Sequence, residues 1–264
     1  RRAFLKIYRL TIETLPGVWF EGLIYEPSHR SAKAPLVVLN PGGGYFCEDL
    51  IAHGDFDAGQ YKNVGGKFLE AGCVIYAPQF LIWHDESAPV PRQFIDIRLK
   101  AMGGSITAVE VYNTMHALDY FTSHEEGIDP ERIGMMGLSY GGFYALYIAA
   151  AETRIKSTFS SCFFCDRFGT GDEPGNCRSD WLWQNAAYTF FDAEVSALIA
   201  PHALYIEGNK DDMFPLPLVL REEERLKPFY AAAGAPEKLM FHIGVVGHEV
   251  VSGDIGVNFF LGNL

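Results

Sequence analysis

One pentapeptide constrains the fold of this chain more than any other feature. Residues 137–141 read Gly-Leu-Ser-Tyr-Gly; an apolar run precedes them at 133–137 and small residues follow at 141–151. This order predicts a sharp turn from a β-strand into an α-helix, with Ser139 at its tip. The pattern alone can arise by chance in a glycine-rich chain. Its position between a strand and a helix indicates instead a serine whose hydroxyl is exposed for nucleophilic attack.

The rest of the chain alternates predicted strands with predicted helices, which indicates an α/β fold. We therefore predict one domain over residues 1–264, with a mostly parallel twisted sheet, helices on both faces and an N-terminal antiparallel hairpin. The patterns that carry this prediction are a hairpin at 5–27, buried strands at 35–39, 73–77, 133–137, 155–159, 203–207 and 238–242, helices at 105–124, 141–151 and 217–233, and a helix after 248.

The charge of the chain excludes some partners. A formal net charge of −12 disfavours nucleic acid and membrane surfaces, and it suits a neutral or cationic small molecule better. No apolar run approaches the roughly 18 residues of a transmembrane helix. We expect neither nucleic-acid nor membrane partners, and the oligomeric state stays open.

The cysteine content and the N-terminal residues bear on the compartment. Five cysteines are an odd number in a chain of this size and indicate reduced thiols, so we expect a cytoplasmic protein. The opening Arg1-Arg2 pair resembles an export signal, but Arg9 and Glu13 interrupt the apolar region that should follow. Secretion remains open if an upstream signal has been removed.

A serine nucleophile requires a base and an acid that orients the base, and these usually follow the serine in the order acid, then histidine. Asp211 and Asp212 lie just after the predicted strand at 203–207, and we predict Asp211 as the acid, with Asp212 as the alternative. A helix cap or solvated turn before Pro215 would be the structural explanation for either aspartate. His248, in a glycine-flanked loop after the last strand, is the predicted base.

Two backbone regions are candidates for the oxyanion hole. The amide of Tyr140 follows the nucleophile directly, and Gly43 and Gly44 follow the central strand at 35–39. The same glycine run could bind phosphate, but it lacks the lysine of a P-loop and the spacing of a dinucleotide site. We therefore predict that Gly43, Gly44 and Tyr140 stabilise the oxyanion.

Two further features have structural interpretations. Cys162 and Cys165 have C-x-x-C spacing, but no second ligand pair stands at zinc-site spacing, so we interpret them as buried thiols. An aromatic-rich insertion at about 160–198 predicts a lid or pocket wall, although its aromatic residues can equally pack the insertion onto the domain.

Four segments together resemble the dienelactone-hydrolase and acetylxylan-esterase-like branch of the α/β hydrolases. They lie at 41–45, 117–120, 128–134 and 137–142, and the resemblance extends over roughly residues 20–255. The acid turn at 208–215 also resembles that of prolyl-oligopeptidase-like enzymes. Two positions depart from the pattern: Ser139 stands where dienelactone hydrolases carry cysteine, and Pro41 replaces a histidine that often precedes the oxyanion glycines.

The resemblance implies an α/β-hydrolase fold and hydrolysis of a carboxylic ester through an acyl-enzyme, without cofactor or metal. Esters of carbohydrates with a short acyl or acetyl group are one use that it implies. A serine peptidase or amidase is the alternative, because the same triad performs both reactions, although peptidases of this type usually carry an extra domain for which we expect no room. A non-catalytic binding protein of the same fold is a further alternative.

Overall fold

A computed structural model describes residues 4–52, 58–82, 90–166, 179–182, 186–251 and 254–264. Within them the backbone forms one sheet of eight strands. The strands are β1 (Phe4–Leu15), β2 (Val18–Pro27), β3 (Ala34–Asn40), β4 (Val74–Gln79), β5 (Ile128–Leu138), β6 (Ile155–Ser161), β7 (Ala203–Asn209) and β8 (Leu239–Gly244).

The spatial order of the strands is β1-β2-β4-β3-β5-β6-β7-β8, and it confirms the predicted sheet. The six strands from β4 to β8 in this order pair in parallel, whereas β1 and β2 form the predicted antiparallel hairpin, and β2 joins β4 antiparallel. Strands β3 and β4 contain continuous apolar runs, as expected where both faces of a strand are covered. Since β5 lies in the middle, its carboxyl end opens at the centre of the sheet edge.

The helices lie between the strands, as the pattern predicts. Short 3₁₀ turns occur at Cys47–Asp49, Gly59–Tyr61, Ser179–Trp181 and Pro236–Lys238. The α-helices are α1 (Val64–Glu70), α2 (Arg92–Ala101), α3 (Ile106–His124), α4 (Tyr140–Ala151), α5 (Ala186–Thr189), α6 (Asp192–Ala197), α7 (Leu216–Ala232) and α8 (Ile255–Leu261).

Helix α2 was not predicted, because its sequence lacks the inward-facing apolar stripe by which helices are usually recognised. Its buried residues are Arg92 and Asp96, whereas Phe94 and Ile97 are more than half exposed. An amphipathic helix is recognised by an apolar stripe that faces the core, and α2 turns a polar stripe inward instead. Only the ion pairs that these side chains make in three dimensions explain the helix.

Two apolar clusters fill the two sides of the sheet. Leu36 and Val38 of β3 belong to one cluster, and Val37 and Leu39 to the other, as the alternation of a strand requires. Both faces of the sheet are therefore buried. Among the described residues, no helix has the length and apolar character needed to cross a membrane.

The described part of the aromatic insertion contributes to the core. Phe163, Phe164 and Trp181 are buried in one of the two clusters, whereas Tyr188 is 93% exposed. Phe168 and Trp183 of the insertion lie outside the described residues. A lid therefore stays a prediction, and packing accounts for the buried aromatic residues.

Candidate active site

Ser139 occupies a strained turn between β5 and α4. Its backbone has φ 56° and ψ −119°, a conformation that side-chain-bearing residues rarely adopt. Gly137 permits this turn, because a Cβ atom there would lie 2.1 Å from the backbone of Gly141. The Ser139 amide donates to the Ser161 carbonyl at 2.7 Å, and the residue stays half-buried. The turn therefore has the form that the pentapeptide predicts.

His248 pairs with Asp212, not with Asp211. The distance from His248 Nδ1 to Asp212 Oδ1 is 2.6 Å, and the Asp212 side chain is 2% exposed. The preference for Asp211 as the orienting acid is thus corrected, because Asp211 points to solvent. The turn after β7 decides this: the Asp212 amide donates to the Asn209 carbonyl at 3.3 Å, so that successive side chains diverge.

The Ser139 turn and the Asp212–His248 pair follow strand ends at the same edge of the sheet. Leu138, Ser161 and Glu207 are register partners on β5, β6 and β7, and Glu207 pairs onward with His242 on β8. Because parallel strands end together, the loops after β5, β7 and β8 meet at this edge, where ligands bind in open α/β sheets. The topology therefore brings the predicted nucleophile and base to one region.

The loop after β3 carries the predicted oxyanion glycines. Asn40 ends β3 beside Gly137, and the Tyr45 amide donates to the Gly42 carbonyl at 3.2 Å, closing a turn. Gly44 has φ +86°, which requires glycine, and both Gly43 and Gly44 are exposed. The loop thus lies next to the nucleophile turn. The donor roles of Gly43, Gly44 and Tyr140 stay predictions.

A 3₁₀ turn at Gly59–Tyr61, which the sequence did not predict, connects three parts of the site. The Tyr61 hydroxyl donates to the Asn40 carbonyl at 2.5 Å and accepts from the Leu138 amide at 3.2 Å. Gln60 Nε2 donates to the His248 carbonyl at 2.6 Å. One short segment therefore contacts the loop after β3, the end of β5 and the loop that carries His248. No pattern in the sequence predicts this turn, because the side chains of Tyr61 and Gln60 form these hydrogen bonds with backbone groups, which every residue has.

Cys162 lies beside the Asp212–His248 pair. Its sulfur, a carboxylate oxygen of Asp212 and a ring nitrogen of His248 all lie within 4.8 Å of one another. The residue is 1% exposed and has φ 52°, and Asn209 Nδ2 lies 3.3 Å from the sulfur. Burial and the charge of Asp212 raise the pKa of the thiol. Cys162 is thus a buried thiol, as expected, but in an unexpected place.

Cys165 does not share that place. It is fully buried in the apolar cluster on the other side of the sheet from the cluster that holds Cys162. The C-x-x-C spacing therefore does not bring the two thiols into one site. Among the described residues, Cys47, Cys73 and Cys162 are free thiols.

Glu207 is a buried carboxyl group beneath the histidine loop. Its Oε1 accepts from the Ser161 hydroxyl at 2.8 Å and from the Val251 amide at 3.0 Å, and its Oε2 accepts from the Tyr205 hydroxyl at 3.2 Å. Burial raises the pKa of Glu207 to about 7, although these donors oppose the rise. Glu207 therefore connects β6 to the segment that follows His248.

A buried ion cluster lies behind the nucleophile turn. The Tyr140 hydroxyl donates to the Asp180 carboxylate, which lies 3.3 Å from Arg92 Nε. Arg92 also contacts Glu110 at 2.8 Å and the Tyr144 hydroxyl at 2.6 Å. The cluster joins α2 and α3 to the first turn of α4. It therefore supports the residue whose amide is a predicted oxyanion donor.

Aromatic rings line one side of the site. The Phe214 ring lies 6.2 Å from the His248 ring, and the Trp181 ring lies 6.4 Å from Phe214 and 4.8 Å from Tyr140. These rings give an apolar wall that runs from the predicted base toward the nucleophile turn.

Comparison with known proteins agrees with this architecture. The model of the prolyl oligopeptidase family matches residues 100–234, just over half of the chain. YtaP of Bacillus subtilis (strain 168), which carries the name of a hydrolase, is 30% identical over 152 residues, or 53% of this chain and 50% of YtaP. The chain thus spans about half the length of this relative.

The similarity to solved structures extends over most of the chain, whereas the sequence similarity to YtaP covers about half of it. The methylesterase BT1017 has a TM-score of 0.74 at 21% identity, covering 98% of this chain and 54% of that one. A Bacteroides fragilis protein described as an acetyl xylan esterase has a TM-score of 0.71 at 17% identity, covering 92% and 67%. These likenesses confirm the α/β-hydrolase fold.

Proposed function

The chain belongs to the prolyl oligopeptidase family, and from that premise we propose that it is a serine carboxylesterase acting through an acyl-enzyme. The observation that supports this most is the Asp212–His248 pair, which lies at the sheet edge where Ser139 occupies a strained turn. Ester hydrolysis needs a nucleophile, a base and an orienting acid. These three side chains supply each of them without a cofactor.

In the first step, Ser139 Oγ attacks the ester carbonyl while His248 Nε2 takes the hydroxyl proton. The carboxylate of Asp212 accepts a hydrogen bond from the N–H at His248 Nδ1, which leaves Nε2 free to accept the proton of Ser139. Once His248 is protonated, the same carboxylate stabilises its positive charge. Asp212 is buried, so this interaction is weakly screened by water.

In the next steps, the alcohol leaves and water cleaves the acyl-enzyme. Protonated His248 donates to the leaving alkoxide and then serves as base for water. We assign the oxyanion to the amides of Tyr140, Gly43 and Gly44, because the loop after β3 lies beside the nucleophile turn. The cluster around Arg92 and Asp180 would keep Tyr140 in place.

The proposed substrate is an uncharged ester of a small molecule or carbohydrate with a short acyl group. The acidic chain disfavours polyanions, and the rings of Phe214 and Trp181 occupy one side of the site. Similar solved structures include a protein described as an acetyl xylan esterase and a methylesterase.

The test is hydrolysis of p-nitrophenyl esters from acetate to octanoate, and of acetylated xylo-oligosaccharides, by the unaltered chain and by S139A. We expect the highest kcat/KM with the shortest acyl groups, and loss of at least about 1,000-fold in S139A. Circular dichroism confirms that the variant is folded. Activity that persists in S139A, or no ester cleaved at all, would overturn the proposal.

A serine peptidase or amidase is the second candidate, and the family match favours it specifically. The same triad cleaves amides when the site protonates an amine leaving group. If the chain hydrolyses aminoacyl p-nitroanilides at least as fast as it hydrolyses esters, the peptidase is favoured. A fluorophosphonate that fails to label Ser139 would favour a non-catalytic binding protein.

We propose the cytoplasm as the compartment. The free and buried thiols of Cys47, Cys73 and Cys162 are consistent with a reducing environment.

A further inference from the structure

Cys162, Asp212 and His248 combine three different metal-binding side chains in one place. Their ligand atoms lie within 4.8 Å of one another. Thiolate sulfur, imidazole nitrogen and carboxylate oxygen are the ligands that zinc uses in proteins. The proposed mechanism uses Asp212 and His248 but gives no role to the thiol of Cys162. We propose that the three residues form an inhibitory zinc site.

The geometry suits a tetrahedral ion with small adjustments. Zinc bonds of about 2.0–2.3 Å require ligand atoms roughly 3.5 Å apart. Asp212 Oδ1 and His248 Nδ1, now 2.6 Å apart, must therefore separate by about 1 Å, and the Cys162 sulfur lies within 4.8 Å of its partners and needs to shift by no more than about 1 Å. His248 can supply this movement, because its side chain is 21% exposed and lies on a loop. The same exposure provides an entry path. Three protein ligands leave one position for water.

The surroundings favour a bound cation. Asn209 Nδ2 points to the Cys162 sulfur at 3.3 Å and also donates to the Glu249 carbonyl at 2.8 Å, so the amide is held in place and can stabilise a thiolate. One thiolate and one carboxylate neutralise the charge of Zn²⁺. The net charge of −12 also attracts cations to the surface.

Zinc would inhibit by changing the histidine tautomer. His248 Nδ1 now faces Asp212 Oδ1, and a zinc ion between them takes the Nδ1 lone pair. The Nδ1 proton then moves through solvent to Nε2, and the Cys162 thiol releases its proton to solvent as the Zn–S bond forms. Nε2 becomes a donor and can no longer accept the proton of Ser139. This consequence rests on the proposed function, whereas the binding itself does not.

The experiment measures zinc binding directly and inhibition separately. Zn²⁺ affinity is determined by competition with a chromophoric chelator for the unaltered chain, S139A, C162A and H248A. We expect one Zn²⁺ per chain, equal affinity in S139A, and at least about tenfold weaker binding in C162A and in H248A. The affinity should rise with pH, because a proton is released. Zinc should inhibit hydrolysis of p-nitrophenyl acetate, and EDTA should reverse it.

C73A is the matched control. Cys73 is 1% exposed like Cys162, so its variant tests the loss of a buried thiol elsewhere, and it should bind zinc as the unaltered chain does. H248A tests the same site if C162A fails to fold, because it alters a partly exposed side chain that is less important for packing. The absence of zinc binding, or binding unchanged in both C162A and H248A, would overturn the site. Zinc binding that depends on Cys162 in a chain that cleaves no ester would leave the site standing and refute the esterase.

Discussion

Burial distinguishes the carboxylate of Asp212, which contacts His248, from that of its neighbour Asp211. Asp212 is 2% exposed and holds His248 at 2.6 Å, whereas Asp211 next to it lies in solvent. In the proposed mechanism, this poorly hydrated carboxylate would select the tautomer of the imidazole and stabilise its charged form. An exposed aspartate would be screened by water and would do neither well.

Replacement of Asp212 by asparagine should therefore reduce kcat/KM strongly. We expect D212N to lose about 1,000-fold or more, because an amide favours the wrong tautomer of His248. D211N is the matched control, with the same chemical change one residue away, and should stay within about threefold of the unaltered chain. Steady-state kinetics with p-nitrophenyl acetate measure both. Equal losses in the two variants would refute the assignment of Asp212.

Glu207 should make stability depend on pH. Burial raises its pKa from 4.5 to about 7, so the folded state binds a proton more tightly than the unfolded state. The free energy of unfolding should therefore fall as pH rises from about 4.5 to about 7, by on the order of 3 kcal/mol. E207Q stays neutral and should lack this part of the fall.

Urea denaturation of both proteins at several pH values in this range measures the effect. Burial raises the pKa of Glu222 to about 7 as well, so Glu207 is evaluated by the difference between the variant and the unaltered chain. E237Q, at an exposed position, is the control for loss of charge. Parallel stability curves for the unaltered chain and E207Q would contradict the prediction.

At the scale of elements, the site is assembled by the 3₁₀ turn Gly59–Tyr61. Tyr61 contacts the loop after β3 and the end of β5, and Gln60 contacts the histidine loop. The Val250 amide also donates to the Gln60 carbonyl at 2.9 Å. Three loops that follow different strands therefore share one support, and their relative positions depend on it.

Removal of the Tyr61 hydroxyl should affect both stability and catalysis. In Y61F, two buried backbone groups lose their partner, and we expect the free energy of unfolding to fall by about 1–3 kcal/mol. Because small displacements of reacting groups are costly, kcat/KM should fall by about tenfold or more. Urea denaturation and ester kinetics measure the two effects.

Y230F is the control for this change. The Tyr230 hydroxyl is bonded to the His202 carbonyl at 3.0 Å, away from the site. We expect Y230F to lose about 1 kcal/mol of stability and to keep its kcat/KM. If Y61F also kept its kcat/KM, the turn would be a structural support without influence on the site.

At the scale of the whole molecule, the net charge of −12 acts on every substrate that approaches. The resulting field repels anions over distances comparable to the Debye length, which is about 30 Å at 0.01 M salt and about 8 Å at 0.15 M. Uncharged esters are not affected in this way. For the proposed esterase, we therefore expect the acidic surface to disfavour anionic substrates without any contact.

Salt should therefore raise kcat/KM for anionic esters only. Between about 0.01 M and 0.15 M NaCl, we expect a several-fold rise for an aryl ester that carries a carboxylate, since salt screens the repulsion. An uncharged ester of the same size should change little. Initial rates at low substrate concentration measure both, and an equal response of the two esters would argue against a role for the net charge.

Much of the fold and part of the site follow from the sequence alone. Apolar runs predict the buried strands, because a strand covered on both faces needs them, and glycines around Ser139 predict the nucleophile turn, because larger residues would clash there. The placement of His248 after the last strand is predicted by the same logic. These features are local, and local patterns encode them.

Only the tertiary structure decided the remaining features. Asp211 and Asp212 have identical side chains, and the turn after β7 determines which one faces His248. The inward polar face of α2, the bonds of Tyr61 and the position of Cys162 all depend on contacts between residues far apart in the chain. Such contacts leave no periodic pattern in the sequence, because each is made once, by residues that folding brings together.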